Sequence, residues 1–572
     1  MVPALWLAAD GGAGTRLLSM TSVDILIVVL YFAVVLAIGF HLKRFATTGE
    51  NFFMAGRGMT AWIAGLSFIS ANLGSLEMMG WSAAAYQYGA LAGHAYLIGA
   101  IPAILVLAIV MMPFYYISKT HSVPGYLKLR FGEPTRALSA VSFAVMTVLM
   151  SGINMYAMAL VMKVILGWDI HFSIWVSSLT VAAYVAAGGL LSAIFNEVLQ
   201  FFLIWLGALL IPVLGLIEAG GWSNMVARID ARTGGEGFTH LWRNLGAFTD
   251  NPAGADWFGL VFGLGLAISF GYWCTDFLVV QRVMVAKDLR SAKLGTVIGA
   301  ALKMCVPLIV TLPGLLGRAV LPGDLVSESQ AVSTGAHSYN EVLPLLMARY
   351  LGPGLLGLGV TALIAGFMSG MAGNVSAFAT VWTYDIYQPL IKRRADDAHY
   401  VRMGRWCALL GVFVSIGAAY IVMQWSSIII YVQALATFFL VPLFGTVMLG
   451  MLWKKATPAG GFWGLLAGTV ASIGMFLWTQ LDPRALAIIA GSPHAKDMAE
   501  NWYRGIWSLV VSVLVTVLVS WATKPKLAQE LTGLVYGLTP VPREGDYPLL
   551  KRPLFWAAVV AAAFVAINIL FW

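Results

Sequence analysis

Apolar runs of about twenty residues recur from one end of this chain to the other, each able to span the roughly 30 Å of hydrocarbon in a bilayer. Few folds survive that pattern. In lipid every backbone N–H and C=O must be satisfied within the chain, so runs of this length are helices of a polytopic membrane protein. The length criterion gives about fourteen spans, the first centred near Val34 and the last near Ala562. Composition points the same way, since 60% of the 572 residues are hydrophobic and only 10% charged. A formal charge of +8 does not indicate a nucleic-acid partner, because the basic residues lie between spans rather than on a patch of a soluble fold. They are topology signals.

Lys and Arg gather in every second connection. Lys43, Arg44 and Arg57 follow the first span, Lys119, Lys128, Arg130 and Arg136 the third, and Arg282, Lys287, Arg290 and Lys293 the seventh. Lys392, Arg393 and Arg394 follow the ninth, Lys454 and Lys455 the eleventh, and Lys524 and Lys526 the thirteenth. Basic loops stay cytoplasmic, so both termini are expected outside a bacterial-type inner (plasma) membrane. The linker Gly188–Glu197 is the one cytoplasmic connection too short to carry the signal. Residues 1–21 read as an N-terminal extension without a clean cleavage site, or as a misassigned start with Met20 as the true beginning. Cys274, Cys305 and Cys407 lack paired spacing and imply neither disulfides nor a metal site. Eight histidines without an HExxH pattern supply no enzyme constellation.

One span is interrupted at its centre. Thr60–Gly89 is long enough to cross, yet it carries Asn72, Gly74, Ser75 and Glu77. A carboxylate and loose backbone at that depth are tolerated where they face protein or a water-filled cavity, which marks a binding site. Gly265–Val280 repeats the pattern, with Ser269, Gly271, Thr275 and Asp276 among aromatics. If Ser70 lies in the first helix of a five-helix repeat, this segment opens the next repeat from the opposite side, because five is odd. Paired broken helices in two inverted halves, with the site between them, are the plan of secondary transporters. The alternative is that Gly-rich spans merely allow close packing.

YWCTDFLVVQRVMVAKDLRSAKLG (Tyr272–Gly295) and LKMCVPLIVTLPGLLGR (Leu302–Arg318) resemble the corresponding stretch of sodium/glucose cotransporters, in the sodium:solute symporter family. FFMAGRGM (Phe52–Met59), YVAAGGLLS (Tyr184–Ser192), TVWTYDIY (Thr380–Tyr387) and YVQ with LGMLWKKATPAGGFWG (Tyr431–Gly464) extend the likeness from Ser22 to Trp478 in order and spacing. It implies an all-α fold with a LeuT-like core of five-plus-five inverted helices, the first and sixth discontinuous. The implied division is a peripheral helix at 22–44, a first repeat at 60–219, a second at 256–453 and three peripheral helices at 459–572.

The resemblance further implies a sodium ion held by the Ser70, Leu73 and Gly366 carbonyls and the Ser369 hydroxyl, the oxygen ligands a small hard cation takes. A second serine implied at the next position is Gly370 here. Water or the nearby carboxylate of Glu197 would fill in. Proton coupling through Glu77 or Glu197, or uncoupled transport, stays open. For the solute it implies contacts from Glu77, Lys303, Gln433 and Tyr272, to which Asn72 and Ser269 at the breaks are added. The acidic residue implied in the second core helix is missing, and His94 and Tyr96 are the nearest polar groups there. Carboxylate, ammonium and amide groups beside an aromatic ring suit a hydroxylated ligand. The expectation is a sodium symporter, without an organic cofactor, importing a monosaccharide such as galactose or glucose. A membrane sensor is the non-transport alternative, and oligomeric state is left open.

Overall fold

Helices follow the apolar runs, and polar residues decide where they start, bend and stop. The computed structural model describes residues 20–233, 235, 237–425, 427–542 and 547–572; the N-terminal extension lies, through residue 19, outside them. In chain order the helices that matter here are α1 (Ser22–Lys43), α2 (Ala61–Ser70), α3 (Ser75–Tyr88), α4 (Ala95–Ile117), α5 (Glu133–Leu166), α6 (Ile170–Ala208) and α7 (Leu210–Ala219). They continue with α8 (Gly259–Thr275), α9 (Phe277–Met284), α10 (Leu289–Val320), α11 (Leu355–Leu390), α12 (Asp397–Val422), α13 (Ile428–Leu452), α14 (Pro458–Leu481), α15 (Asp497–Ala522) and α16 (Pro553–Leu570).

Among the described residues eleven helices are long and apolar enough to cross a bilayer, and the bent pair α8 and α9 makes a twelfth span. Ala61–Ser70 and Ile170–Leu179 are shorter apolar helices, and the expected fourteen is reached only by counting them. The linker expected at Gly188–Glu197 narrows to a break at Gly189, where φ is +59° and ψ −159°, so that two helical segments meet within α6. A Cβ there would sit 2.8 Å from the Phe52 carbonyl oxygen, so both the left-handed backbone and the close approach require glycine.

Three packing features position the interior. The Asp24 carboxylate caps its own helix with Thr21 and also accepts the Gly354 and Gly357 N–H groups at 2.8 and 2.6 Å, fastening α1 to the start of α11. α2 lies against α10 through small residues: a Cβ on Gly65 would meet the Gly295 carbonyl oxygen at 2.7 Å, and one on Gly299 would meet Phe68 at 2.6 Å. Such contacts let helix backbones approach closely where lipid offers no hydrophobic drive. Wide π turns occupy Ala95–Ala100 of α4, Gly259–Ser269 of α8 and Ala436–Leu440 of α13, and those of α4 and α8 lie against each other. π segments recur where helices serve a site.

Candidate functional site

α2 ends at Ser70 and the chain re-enters helix only at Ser75. Between them the Ala71 and Leu73 N–H groups still bond back to the Ser67 and Ile69 carbonyls, and the Met78 N–H bonds the Gly74 carbonyl. Among the described residues no backbone donor reaches the Leu73 carbonyl. The Ser70 hydroxyl points across to Ser369 of α11, Oγ to Oγ 3.1 Å, and both residues are fully buried. The Leu73 carbonyl oxygen lies 2.8 Å from where Gly366 would carry a Cβ. Ser70, Leu73, Gly366 and Ser369 therefore meet where α11 crosses the break. The Ser70 carbonyl, also expected to face the ion, accepts the Leu73 N–H at 3.0 Å. Buried neutral oxygens are the kind of ligand a hard cation takes.

One layer further along α3 is a buried polar chain. Lys303 closes the first helical stretch of α10, four residues before Pro307. Its ammonium pairs with Glu77 Oε1 at 2.6 Å and donates to Asn72 Oδ1 at 2.5 Å. The Asn72 amide in turn donates to the Tyr272 hydroxyl at 2.5 Å. Lys303 is fully buried, while the Glu77 side chain keeps 12% exposure. The Trp273 and Tyr96 rings stand 5.0 and 5.1 Å from Nζ, a cation–π arrangement that supports a charge withdrawn from water. The first break is thereby tied to α8 and to α10.

Two buried polar atoms on neighbouring helices lack a hydrogen-bond partner of good geometry: the Tyr96 hydroxyl, which is turned toward Glu77, and Gln433 Nε2. The other end of the Gln433 amide accepts the Trp502 indole N–H at 3.0 Å, which fixes Nε2 as the free donor. Gln433 lies on the opening of α13, which packs against α3. At the end of α3, a cavity of about 680 Å³ opens between Tyr86, Tyr88, Arg232, Phe238, Arg318 and Tyr339.

The family model for the sodium:solute symporter family matches residues 52–468. This chain belongs to that family. Among curated relatives, the sodium/mannose cotransporter of Bos taurus is 28% identical, over 97% of each chain. The sodium/myo-inositol cotransporter 2 of Oryctolagus cuniculus is also 28% identical, over 90% of this chain and 78% of its own. Among solved structures, a substrate-bound, outward-open Na+-coupled sialic acid symporter superposes with a TM-score of 0.71 at 20% identity, covering 89% of this symporter and 99% of that chain. The fold is thus the inverted-repeat transporter fold expected from the two broken helices. The family and its relatives are transporters rather than enzymes.

Other expected site residues have separate partners in the symporter. Glu197, expected as acidic support for the ion, pairs instead with Arg282 at 2.7 Å and accepts the Ser67 hydroxyl, all fully buried. Asp276 caps α9 by accepting the Leu278 N–H at 2.9 Å. Ser269 faces Gly99 of α4, three residues before Tyr272. His94 meets the Leu241 carbonyl at 2.9 Å. Tyr96 was visible in the sequence only as a polar neighbour of a missing acid. The geometry brings it to Lys303, and its signal was an aromatic hydroxyl on a span facing the first break.

Proposed function

We propose that this symporter imports a neutral hydroxylated solute, a monosaccharide such as galactose or glucose, driven by sodium entry. The observation that carries the reading is the Glu77–Lys303 pair with the Tyr96 hydroxyl turned toward Glu77; Gln433 Nε2, on α13, is a second buried donor without a partner. The pair sums to zero charge, so an uncharged ring with several hydroxyls can donate to Glu77 and accept from Lys303 and Gln433. An anionic solute would face the Glu77 carboxylate. Each hydrogen bond to a charged group is worth about 1.5–3 kcal/mol, enough to discriminate between ring hydroxyl patterns. The mannose and myo-inositol named for two relatives are likewise neutral polyols, which supports the class.

Sodium takes the oxygens of Ser70, Leu73, Gly366 and Ser369 and holds the α2–α3 break in one arrangement. That arrangement fixes Asn72 and Glu77, and with them Lys303 and Tyr272, so ion and solute favour each other's binding. The repeats at 60–219 and 256–453 then rock against each other around the fixed site. Both termini face outward and the basic loops face the cytoplasm of the inner membrane. A reporter fused after Trp572 is expected outside and one inserted near Asp396 inside.

Uptake into proteoliposomes from a panel of glucose, galactose, mannose, myo-inositol and sialic acid tests the solute class. Accumulation of a neutral sugar under a sodium gradient, with competition among the neutral members, is the expected result. Preference for sialic acid, or accumulation driven only by a proton gradient, contradicts it.

A further inference from the structure

The hydroxyl absent at Gly370 has an oxygen in its neighbourhood that comes from another helix. Asn154, on α5, is buried at 3% exposure. A Cβ built on Gly370 would lie 3.2 Å from Asn154 Oδ1, and one built on Gly74 would lie 2.7 Å from the same atom. That single oxygen therefore stands between the first break and α11, at the residue that follows Ser369, and explains why both flanking positions are glycine. The Leu76 N–H donates to Oδ1 at 3.4 Å, which identifies this end of the carboxamide as the oxygen. The Ser75 hydroxyl donates to the Asn154 backbone carbonyl at 3.2 Å, holding α5 against the start of α3. With one long hydrogen bond to it, the oxygen keeps a lone pair for another partner.

We propose that the Asn154 side-chain oxygen is a ligand of the sodium ion, taking the place of a hydroxyl at position 370. The inference rests on the sodium site proposed above. Carboxamide oxygens are ordinary ligands for hard cations, and this one adds coordination without adding charge to a buried cage. The site would then draw on α2, α5 and α11 rather than on two helices. A serine introduced at 370 alone would press its Cβ against Asn154 instead of simply adding a ligand.

Sodium binding is read by the rise in thermal unfolding temperature in NaCl relative to choline chloride, on the detergent-purified full chain, and by the sodium concentration for half-maximal uptake. Asn154→Ala should raise the half-maximal sodium concentration by about tenfold or more, since ligand number sets much of a hard-cation affinity, and should remove most of the sodium-specific thermal shift. Adding Gly370→Ser to Asn154→Ala should recover both readouts, because the hydroxyl now has room. Asn154→Asp keeps the size and the Leu76 contact and should lower the half-maximal sodium concentration, which serves if the alanine variant does not fold. Wild-type sodium response in Asn154→Ala, or unchanged sodium affinity in Asn154→Asp, overturns the proposal and leaves Asn154 a packing residue. If the wild-type chain itself shows no sodium-specific shift and no sodium-dependent uptake, the sodium site and the Asn154 ligand fall together.

Discussion

At the second break, between α8 and α9, the chain bends by 49° and satisfies itself. The Asp276 carboxylate caps α9 through Leu278, its N–H bonds the Tyr272 carbonyl at 3.0 Å, and the Thr275 hydroxyl bonds the Gly271 carbonyl at 2.6 Å. At the first break, between α2 and α3, the Leu73 carbonyl lacks a backbone donor among the described residues, Gly74 gives α3 no cap of its own, and Asn72 reaches sideways to Lys303 and Tyr272. Two interruptions in inverted halves thus spend their polar groups differently. A helix break becomes a site where its oxygens are left for a ligand. Where a carboxylate closes it, the break gives shape and presents neighbours such as Tyr272.

Lys303→Ala should strike this contrast hardest. It strands Glu77 as an unpaired buried carboxylate, so stability should fall by about 3–5 kcal/mol and uptake should vanish. The double variant Glu77→Gln with Lys303→Met should recover much of the thermal stability but none of the uptake. A transporting Lys303→Ala protein would mean the pair is not part of the solute site. Asp276→Ala at the other break should cost about 0.5–2 kcal/mol of stability, as the loss of a helix cap does. Its half-maximal sodium concentration should stay that of the wild type. If sodium affinity moves instead, the second break is not merely structural and the comparison fails.

Tyr272→Phe removes the hydroxyl through which the two breaks touch. One hydrogen bond is worth about 0.5–1.5 kcal/mol, so solute affinity should weaken up to roughly tenfold while the fold holds. Equal affinity in equilibrium binding would show that Asn72 is held by Lys303 alone. The smallest effect lies away from both breaks. His337 bonds the Glu341 carboxylate at 2.6 Å, and this partner raises its pKa above the ordinary imidazole value, with burial and Lys163 opposing. The charged form favours the folded state, so its contribution is complete below about pH 6.5 and is lost as pH rises through the raised value. The side chain is partly exposed, which keeps the effect under about 1 kcal/mol. His337→Gln should flatten that decline in thermal stability without changing sodium affinity.

Much of this was legible in one sequence, for physical reasons. Asn72, Gly74 and Glu77 stand out because polar residues in a twenty-residue apolar run need an explanation. Lys303 and Gln433 do so for the same reason. The partner of Arg282 gave no signal, because Glu197 is 85 positions away along the chain. The short connection expected at Gly188–Glu197 is a single left-handed glycine, Gly189, because one residue with φ of +59° is enough to turn the chain out of one helix and into the next. Asn154 gave no signal, since a single amide within an unbroken helix has many ordinary uses. Only its place between Gly74 and Gly370 sets it apart.

The central claim is that ion and solute meet at the first break, so each should strengthen the binding of the other. Equilibrium binding of the transported sugar to the detergent-solubilised chain, titrated in NaCl and in choline chloride of equal ionic strength, measures that coupling directly. Sodium should tighten sugar binding by about 5–150-fold, the usual range for coupled sites, with the sugar tightening sodium binding by the same factor. Sugar affinity identical in the two salts would contradict the account.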